Sequence, residues 1–441
     1  MKTNEKPVSE FVEKGGFKMD LSMKRDAVDS PFIFIPPAKE MVVFLRQHIG
    51  PETKPSVQVG DKVFYGQKIG DDLSGGPLVV PIHSPVNGRV VALTQRQHPE
   101  SGKKEMALII ETHDDKQKPY YEPLDPDDAT TEELQERVRE AGVVGLGGAS
   151  FPTHVKLSPE KPISHLLINA KESDPNIACD SRLMVEKPAG IITGIKLMTQ
   201  MLEADEVIFA TRTKEGEIPE FEKLLGENDI PIIRIRPSYS IGSEKLLIKE
   251  ILDKEIPYGK YPPDIGAVVH NVSTAHAVKR AVIDGEPLVS RGLTMYSKKT
   301  GGKNLWVRMG TPVEHVLESV GVSPSEFERI VIGSTMMGPS IPNSSYPVLK
   351  ATSGITAFTQ KEPDPYRNPL PCIRCGYCNT VCPVDIYPQL IMEAEKAGDI
   401  DRLKKLHVEV CIDCGLCSYV CPSRIRFTPY LQRGKQKIRD T

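Results

Sequence analysis

Two matching twelve-residue stretches near the carboxyl end hold eight of the nine cysteines of this 441-residue chain. They are CIRCGYCNTVCP at 372–383 and CIDCGLCSYVCP at 411–422. A structural zinc site closes with four ligands, commonly as two CxxC pairs, and needs neither a third cysteine nor a closing Cys-Pro. A disulfide framework is typical of short secreted chains, not of a chain of this length. The spacing C-x2-C-x2-C-x3-C-P, present twice, indicates two [4Fe–4S] clusters.

In this motif the fourth cysteine of each run ligates the cluster of the other run. The first predicted ligand set is Cys372, Cys375, Cys378 and Cys421, and the second is Cys411, Cys414, Cys417 and Cys382. The segment between the runs has apolar residues at helical spacing, with Gly398 as a predicted stop and Asp399 as the cap of a second short helix. The ninth cysteine, Cys179, lies far upstream, and we assign it no role.

Charge and hydropathy narrow the class of protein. The chain has 56 Lys and Arg against 59 Asp and Glu, and this balance argues against nucleic-acid binding and against general attraction to anionic lipid. No run of about eighteen or more apolar residues occurs, so the sequence predicts no membrane-spanning helix. Cysteines that hold iron–sulfur clusters are typical of a reducing compartment. We therefore expect a soluble or peripheral protein that is assembled in the cytoplasm.

The order of the elements predicts a multidomain α/β and β architecture. After an N-terminal extension at 1–40, short strands at 41–115 resemble a barrel-sandwich hybrid, but its connecting segment has no lysine to carry a cofactor, so we expect a structural or docking role. Strands alternate with helical segments over 125–280, which predicts a Rossmann-like parallel α/β domain. A small β-grasp-like domain is expected at 281–345, and an all-α two-[4Fe–4S] ferredoxin domain at 362–441.

A glycine-rich loop lies beside the first strand of the α/β region. The stretch GVVGLGGASFPTHVKL at 142–157 contains Gly142, Gly145, Gly147 and Gly148. Glycines let a backbone approach a phosphate or a ring closely, but they also serve tight turns. The loop by itself does not decide between these two interpretations.

The motifs in and after this loop resemble a known family. GLGGASFPTHVK is similar to the GxGGAGFPT–K loop shared by the flavoprotein subunit of NADH:quinone oxidoreductase and the C subunit of the Rnf complex. LINAKESDPNIACDSRLM resembles their N-x-x-E-x-E-P segment, YSIGSEKLLI resembles YPQGGEKQLI, and HNVSTAHAV resembles NNVGTAxAI. The domain order is similar to that of the Rnf C subunit over nearly the whole chain. A related corrinoid reductase of bacterial microcompartments has its flavin segment before the barrel, so the order here argues against it.

The resemblance implies an FMN site. It places FMN against the glycine loop, a lysine near the phosphate or ring, four polar side chains at the ribityl and ring groups, and two acidic side chains on the nicotinamide side. In that order, these residues are Gly145, Gly147 and Gly148; Lys156; Asn169, Glu172, Asn271 and Thr274; and Asp174 and Glu244. A flavin suits this chain because it takes two electrons from a nicotinamide and passes them on singly to clusters.

Four positions depart from the family pattern. Ser150 and Ser243 stand where the family has glycine, Asp174 shortens a glutamate, and Lys171 adds a charge beside the acidic pair. The two serines add side chains where a stacked nicotinamide needs bare backbone. We therefore predict that the chain retains FMN but uses NAD(H) poorly as a substrate.

By this resemblance the chain is a peripheral subunit of a membrane-bound Rnf complex. It would pass electrons by way of FMN and two [4Fe–4S] clusters between reduced ferredoxin and NAD(H), while other subunits translocate the ion. Its place would be the cytoplasmic face of the cell membrane, where partner subunits hold it, with ferredoxin as an indirect partner. The serines favour an alternative, a relay without a nucleotide that links ferredoxin to another protein such as a cytochrome.

Overall fold

A computed structural model describes residues 12–19, 25–114, 120–362, 364 and 366–441 of the protein. The expected N-terminal extension at 1–40 lies partly outside the described residues, as does the end of the expected barrel at residue 115. Strands and helices are numbered below in chain order. Short 3-10 turns lie at Leu73–Gly75, Pro262–Ile265, Pro324–Glu326 and Val408–Val410.

The first part of the chain forms a β hairpin, a short helix and a small two-sheet barrel. Its elements are β1 (Val12–Glu13), β2 (Gly16–Lys18), α1 (Arg25–Asp29), β3 (Ile33–Phe34), β4 (Glu40–Phe44), β5 (Lys54–Pro55), β6 (Lys62–Val63), β7 (Lys68–Asp71), β8 (Ile82–His83), β9 (Asn87–Gln97) and β10 (Lys104–Asp114). One sheet has the order β4-β10-β9-β6 and the other β5-β7-β8. Apolar side chains such as Met41, Ile69 and Leu108 fill the space between the sheets. The barrel-sandwich prediction is confirmed.

The second part is a parallel α/β unit. Its elements are α2 (Thr131–Glu140), α3 (Thr153–Lys156), β11 (His165–Ala170), α4 (Cys179–Glu186), α5 (Pro188–Leu202), β12 (Glu206–Thr211), α6 (Pro219–Glu227), β13 (Ile232–Arg234), β14 (Ser238–Tyr239), α7 (Glu244–Leu252), β15 (Ala267–Asn271) and α8 (Val272–Ile283). The sheet has the order β13-β12-β11-β15 with every pair parallel. The alternating pattern predicts strands at 165–170 and 206–211, where β11 and β12 lie. The Rossmann-like prediction is confirmed.

Helices cover both faces of this sheet, because successive residues of each strand point to opposite sides. Leu166 and Ile168 of β11 pack into one apolar core, whereas Leu167 packs into the other. Helices α5 and α8 pack so closely that a Cβ on Gly194 would lie 1.8 Å from the carbonyl oxygen of Ala275. A near-continuous apolar strand sequence therefore corresponds to a sheet buried on both sides.

The third part is a mixed six-stranded sheet with one helix. Its elements are β16 (Ser290–Ser297), β17 (Gly301–Arg308), α9 (Val313–Ser319), β18 (Arg329–Ile332), β19 (Ser340–Ile341) and β20 (Gly354–Phe358). The order is β19-β18-β20-β16-β17-β3. The sheet thus includes a strand beyond the expected limit at residue 345 and one from the N-terminal segment. Both additions come from pairings between residues that are distant in sequence.

The carboxyl-terminal part is helical, as predicted. Its elements are α10 (Tyr377–Thr380), α11 (Pro388–Ala397), α12 (Ile400–Lys405), α13 (Leu416–Tyr419) and α14 (Thr428–Arg439). Helix α11 ends at Gly398, whose φ is 70°, and the side chain of Asp399 caps α12. The N-terminal hairpin joins this part to the α/β unit, since β2 pairs with β14 and the N–H of Gly15 donates to the carbonyl of Thr380 at 2.8 Å.

Candidate functional site

A cavity of about 660 Å³ lies at the carboxyl edge of the parallel sheet. Strands β12 and β13 follow β11 on one side, whereas β15 lies on its other side, so the strand order reverses between β11 and β15. Asn169 near the end of β11 and Asn271 at the end of β15 both line the cavity. Ligands of open α/β sheets bind at this kind of reversal, and the volume suits a cofactor. We call this space the flavin cavity.

All ten side chains or backbone positions predicted for the flavin line this one cavity. They are Gly145, Gly147, Gly148, Lys156, Asn169, Glu172, Asp174, Glu244, Asn271 and Thr274. The structure thus brings together residues from four separate motifs. Which of them contact a bound flavin stays a prediction.

The glycine loop is held against the start of α8. The N–H of Leu146 donates to Oγ1 of Thr274 at 2.9 Å. A Cβ on Gly147 would lie 3.2 Å from Cβ of Asn271, and Gly148 has a φ of 125°, which side chains rarely adopt. These glycines therefore permit both a close backbone approach and an unusual turn at the cavity wall.

Several predicted ligand groups also hold the wall of the cavity together. The side chain of Asn271 caps α8 by accepting from the N–H of Ser273 at 2.8 Å, and its Nδ2 donates to Asp180 at 2.6 Å. The carboxylate of Glu172 accepts from the N–H of Asp180 at 3.0 Å and from the hydroxyl of Ser181 at 2.7 Å, at the start of α4. Burial and, second, the Glu172 carboxylate raise the pKa of Asp180.

One ion pair on the wall of the flavin cavity joins α3 to α7. Nζ of Lys156 pairs with the carboxylate of Glu244 and donates to the carbonyl of Val269 at 3.1 Å. The amide of Asn169 donates to the carbonyl of Gly242 at 2.8 Å, close to the start of α7. The ammonium group of Lys156 could bind a phosphate by its charge, and the start of α8 could bind one through its positive helix-dipole end.

Buried hydroxyls without partners provide a test of whether a polar cofactor fits. Among the described residues, the side-chain oxygens of Ser150, Thr153, Ser240 and Ser243 line the cavity, are buried and have no hydrogen-bond partner. Buried polar atoms are normally paired, so an unpaired group at a cavity wall points to a bound polar molecule. The cavity therefore fits FMN, which presents phosphate, ribityl and ring acceptors and donors.

Cys179, Asp180 and Tyr239 are among the residues of the cavity wall to which the sequence assigned no role. Cys179 is buried at the start of α4, with Sγ 3.5 Å from the carbonyl oxygen of Ser353. Asp180 follows it and is described above. Tyr239 lies on the wall and packs with Phe17 of the N-terminal hairpin. Cys179 and Asp180 belong to the same sequence motif as Glu172, so the motif could have indicated that they also lie at the cavity.

Lys171 is a buried cation beside the cavity. Its Nζ donates to the carbonyl of Ser238 at 2.6 Å, and burial lowers its pKa to about 7. The charge expected beside the acidic pair is thus partly lost near neutral pH. The sequence shows that Lys171 adds a charge that the family pattern lacks. It does not show that this lysine is buried, which is the reason for the lowered pKa.

The eight cysteines of the two runs form two groups in the helical part. The exposed cluster site consists of Cys372, Cys375, Cys378 and Cys421, around a cavity of about 300 Å³. The enclosed cluster site consists of Cys382, Cys411, Cys414 and Cys417. Each group combines three cysteines of one run with the fourth of the other, the arrangement that the crossing rule predicts. Four thiols around each space are a donor set that fits a [4Fe–4S] cluster.

The two cluster sites differ in their access to solvent and to the flavin cavity. Cys372 and Cys375 are exposed. In the enclosed cluster site, burial raises the pKa of the Cys414 thiol to about 12, so a bound cation is needed to hold its thiolate at neutral pH. Ile412 and Cys414 line the flavin cavity. The enclosed cluster site therefore lies directly at the wall of the flavin cavity.

A loop after β18 fixes this contact. Ser334 donates its hydroxyl to the carboxylate of Asp174, and Thr335 donates to the same carboxylate at 3.3 Å. Next in the loop, the carbonyl oxygen of Met336 would lie 2.5 Å from a Cβ on Gly415, whose φ is 79°. The loop thus contacts the cavity on one side and the second cysteine run on the other.

Comparison with known proteins agrees with this architecture. The RnfC barrel sandwich hybrid domain family matches residues 12–116, the Nuo51 FMN-binding domain family matches residues 138–280, and the 4Fe-4S dicluster domain family matches residues 364–432. The chain is similar to the C subunit of the Rnf complex. The resemblance found in the motifs is confirmed, as are the predictions of an FMN-binding domain and a two-cluster domain.

A curated relative covers most of the chain. The C subunit of the ion-translocating oxidoreductase complex of Salmonella arizonae (strain ATCC BAA-731 / CDC346-86 / RSK2980) is 36% identical over 393 residues, which are 88% of this chain and 58% of that protein. The chain therefore spans less than two thirds of the length of this relative.

Solved structures share the fold. The NAD+-reducing [NiFe]-hydrogenase matches in its H2-reduced state with a TM-score of 0.51 and 17% identity, and in its air-oxidized state with a TM-score of 0.51 and 18% identity. Each match covers 70% of this chain and 63% of the other chain. At this identity the likeness concerns the fold alone. Among the described residues of the present chain, no helix is long and apolar enough to cross a membrane.

Proposed function

We propose that this chain is a peripheral electron-transfer subunit of a membrane-bound Rnf-type complex. It passes electrons by way of FMN and two [4Fe–4S] clusters between reduced ferredoxin and NAD(H), while other subunits translocate the ion. Partner subunits hold it at the cytoplasmic face of the cell membrane. The similarity to the Rnf C subunit and the three domain families support this proposal.

One observation carries the proposal, namely the wall that the flavin cavity shares with Cys414 of the enclosed cluster site. Electron transfer between two cofactors requires them to lie close together, and Cys414 and Ile412 line both the flavin cavity and the enclosed cluster site. The exposed cluster site shares no lining residue with the flavin cavity, and its Cys372 and Cys375 lie at the surface. The arrangement supports an order in which electrons move between the protein surface, the exposed cluster site, the enclosed cluster site and the flavin cavity.

The chain's own residues give the flavin cavity its selectivity. A bound flavin supplies the exchange between a two-electron hydride donor and one-electron carriers. Lys156 offers a cation for its phosphate, and the loop at Gly147 and Gly148 lets the backbone approach it closely. The hydroxyls of Ser150 and Ser243 offer hydrogen bonds that nothing in the described residues now takes.

A second candidate function is a relay that does not use a nucleotide. The observation that favours it is the backbone at Ser150, a buried residue with a φ of 49° on the cavity wall. A side chain here occupies space that a glycine would leave open, and Ser243 does the same on another side. In this case the electrons pass to another protein, such as a cytochrome.

Anaerobic purification separates the two candidates. The protein is reconstituted with iron and sulfide, loaded with FMN and mixed with NADH while the flavin absorbance is followed. Fast bleaching supports exchange with NAD(H), whereas bleaching only by a reduced ferredoxin supports the relay. Absence of bound FMN after extraction contradicts the route through FMN and leaves the relay, whereas clusters that no reduced ferredoxin reduces contradict both.

Location is tested by fractionation. Cells that express the chain with the other subunits should hold it in the membrane fraction, and cells that lack them should not. Recovery in the membrane fraction without any partner would contradict attachment through partners.

A further inference from the structure

The two cysteine runs carry opposite charges at equivalent positions. Aligning the runs by their cysteines pairs Arg374 with Asp413, and Asp385 with Arg424. All four residues have a positive φ, between 51° and 56°. The N–H groups of Arg374 and Asp413 each reach the first thiol of their run at 3.4 Å. The backbone is therefore repeated in the two runs, whereas the charges are reversed.

Both arginines flank the exposed cluster site. Arg374 lines its cavity, and the N–H of Arg424 donates to the carbonyl of its ligand Cys421 at 3.0 Å. Both aspartates flank the enclosed cluster site. Asp413 lines it, and the N–H of Asp385 donates to the carbonyl of Cys382 at 3.3 Å. The crossing of the fourth cysteines thus brings two arginines of the runs to one site and two aspartates to the other. Glu393 of α11 also lines the cavity of the exposed cluster site, but it forms an ion pair with Arg402 at 3.5 Å.

The arginines differ from Asp413 in their partners. Asp413 accepts from Nζ of Lys435 at 2.5 Å, so its charge is compensated within the fold. Arg374 and Arg424 are exposed, and in the part of the chain that the structure describes neither forms an ion pair. Their charges are therefore available to a molecule that approaches the exposed cluster site.

Apolar side chains accompany these charges. Leu370 is 60% exposed and Ile373 is 67% exposed. Ile373 lines the cavity of the exposed cluster site, and the N–H of Leu370 donates to the carbonyl of Ser423, which also lines it. Arginine is enriched at protein interfaces, and the buried core of an interface is apolar. Leu370, Ile373, Arg374 and Arg424 form what we call the docking rim.

We propose that the docking rim binds a small acidic redox protein whose own cofactor edge is surrounded by carboxylates. This inference rests on the proposed function, because it assumes that the exposed cluster site exchanges electrons with a partner. The partner loses one electron and the cluster at the exposed site gains it, and no bond forms or breaks. Complementary charge raises the rate of encounter, and a small apolar contact suits a short-lived complex. A partner with basic surroundings would be repelled.

Stopped-flow mixing under anaerobic conditions tests the proposal. The probe is a reduced two-[4Fe–4S] ferredoxin of strongly negative charge, and the reconstituted full chain is the acceptor. We expect the double variant R374E/R424E to lower the second-order rate constant by about tenfold or more at low salt, and added salt to narrow the difference. The matched control is K404E/K405E, which makes the same change in net charge on exposed residues of α12. It should keep a rate near that of the parent.

Two outcomes would contradict the proposal that the docking rim binds an acidic partner. An equal loss of rate in both double variants would assign the effect to net charge, and a rate of the parent that added salt does not lower would exclude attraction between opposite charges. Iron content and EPR spectra verify that both sites are filled. If R374E/R424E does not assemble its clusters, R374Q/R424Q replaces it, and an unchanged rate there contradicts the proposal. If the ferredoxin reduces the clusters but FMN stays oxidised, the proposed function fails while the docking rim stands.

Discussion

Lys156 at the end of α3 forms an ion pair with Glu244, the first residue of α7, on the wall of the flavin cavity. The pair joins the glycine-loop motif to a motif about ninety residues later. Because Lys156 also donates to the carbonyl of Val269, its ammonium group is held at the edge of the sheet where a phosphate can reach it.

Replacing this lysine should weaken FMN binding. We expect K156M to raise the dissociation constant of FMN by about ten- to a hundredfold, since a hydrogen bond to a charged group contributes about 1.5–3 kcal/mol. Titration of the apoprotein into FMN, followed by flavin fluorescence, measures the constant. The control is K161M, because Lys161 pairs with Asp264 outside the cavity. Equal affinities for FMN in parent and K156M would show that Lys156 does not face the phosphate.

Much of this site was predictable because its parts lie in short motifs with fixed spacing. The ten flavin residues were assigned by resemblance, and the pairing of Cys382 and Cys421 with the opposite runs follows from the motif. Strands such as β11 were predictable because a buried parallel strand has a continuous apolar sequence. These features are encoded locally.

The contacts between domains were not predictable in the same way. Strand β14 has two residues, and its pairing with β2 joins segments more than two hundred residues apart, so no periodic pattern marks it. The position of Cys414 at the wall of the flavin cavity depends on this packing and on the loop at Met336. Cys179 received no role from sequence because a single cysteine carries no spacing, although it lines the cavity.

Restoring the two family glycines should strengthen NADH binding. Ser150 and Ser243 both line the flavin cavity, and each adds a side chain whose removal gains about 1–3 kcal/mol if it crowds a nicotinamide. We expect S150G/S243G to bind NADH at least about tenfold more tightly than the parent in calorimetry with FMN-loaded protein. The control is S158G at an exposed position outside the cavity. Tight NADH binding by the parent would contradict this prediction.

Crossed ligation predicts which cluster each cysteine variant loses. The parent should contain about eight iron atoms, four for each cluster. C382A should give the EPR spectrum of C414A, because both residues belong to the enclosed cluster site. C421A should instead match C375A of the exposed cluster site.

The ninth cysteine provides the control for this series. C179A should keep both signals and the iron content of the parent, since Cys179 lies in α4, outside both cluster sites. A match between C382A and C375A would mean that each run closes its own cluster.

Lys171 should make the stability of the protein depend on pH. Its ammonium group is buried, and burial lowers its pKa from the ordinary 10.5 to about 7. Between pH 7 and 10.5 the unfolded chain binds a proton that the folded chain lacks, so the free energy of unfolding rises with pH in this window. The slope is at most about 1.4 kcal/mol for each pH unit.

The variant K171M removes this titration while keeping the length of the side chain. The free energy of unfolding of K171M minus that of the parent should be largest at pH 7. This difference should fall steadily toward pH 10, because the parent becomes more stable as the pH rises. Urea unfolding at several pH values measures the difference, and K161M at an exposed site serves as the control. Burial also lowers the pKa of Lys350 to about 7, but Lys350 is present in both proteins, so its contribution cancels in the difference. A difference between K171M and the parent that stays constant from pH 7 to pH 10 would show that Lys171 keeps its proton in the folded state.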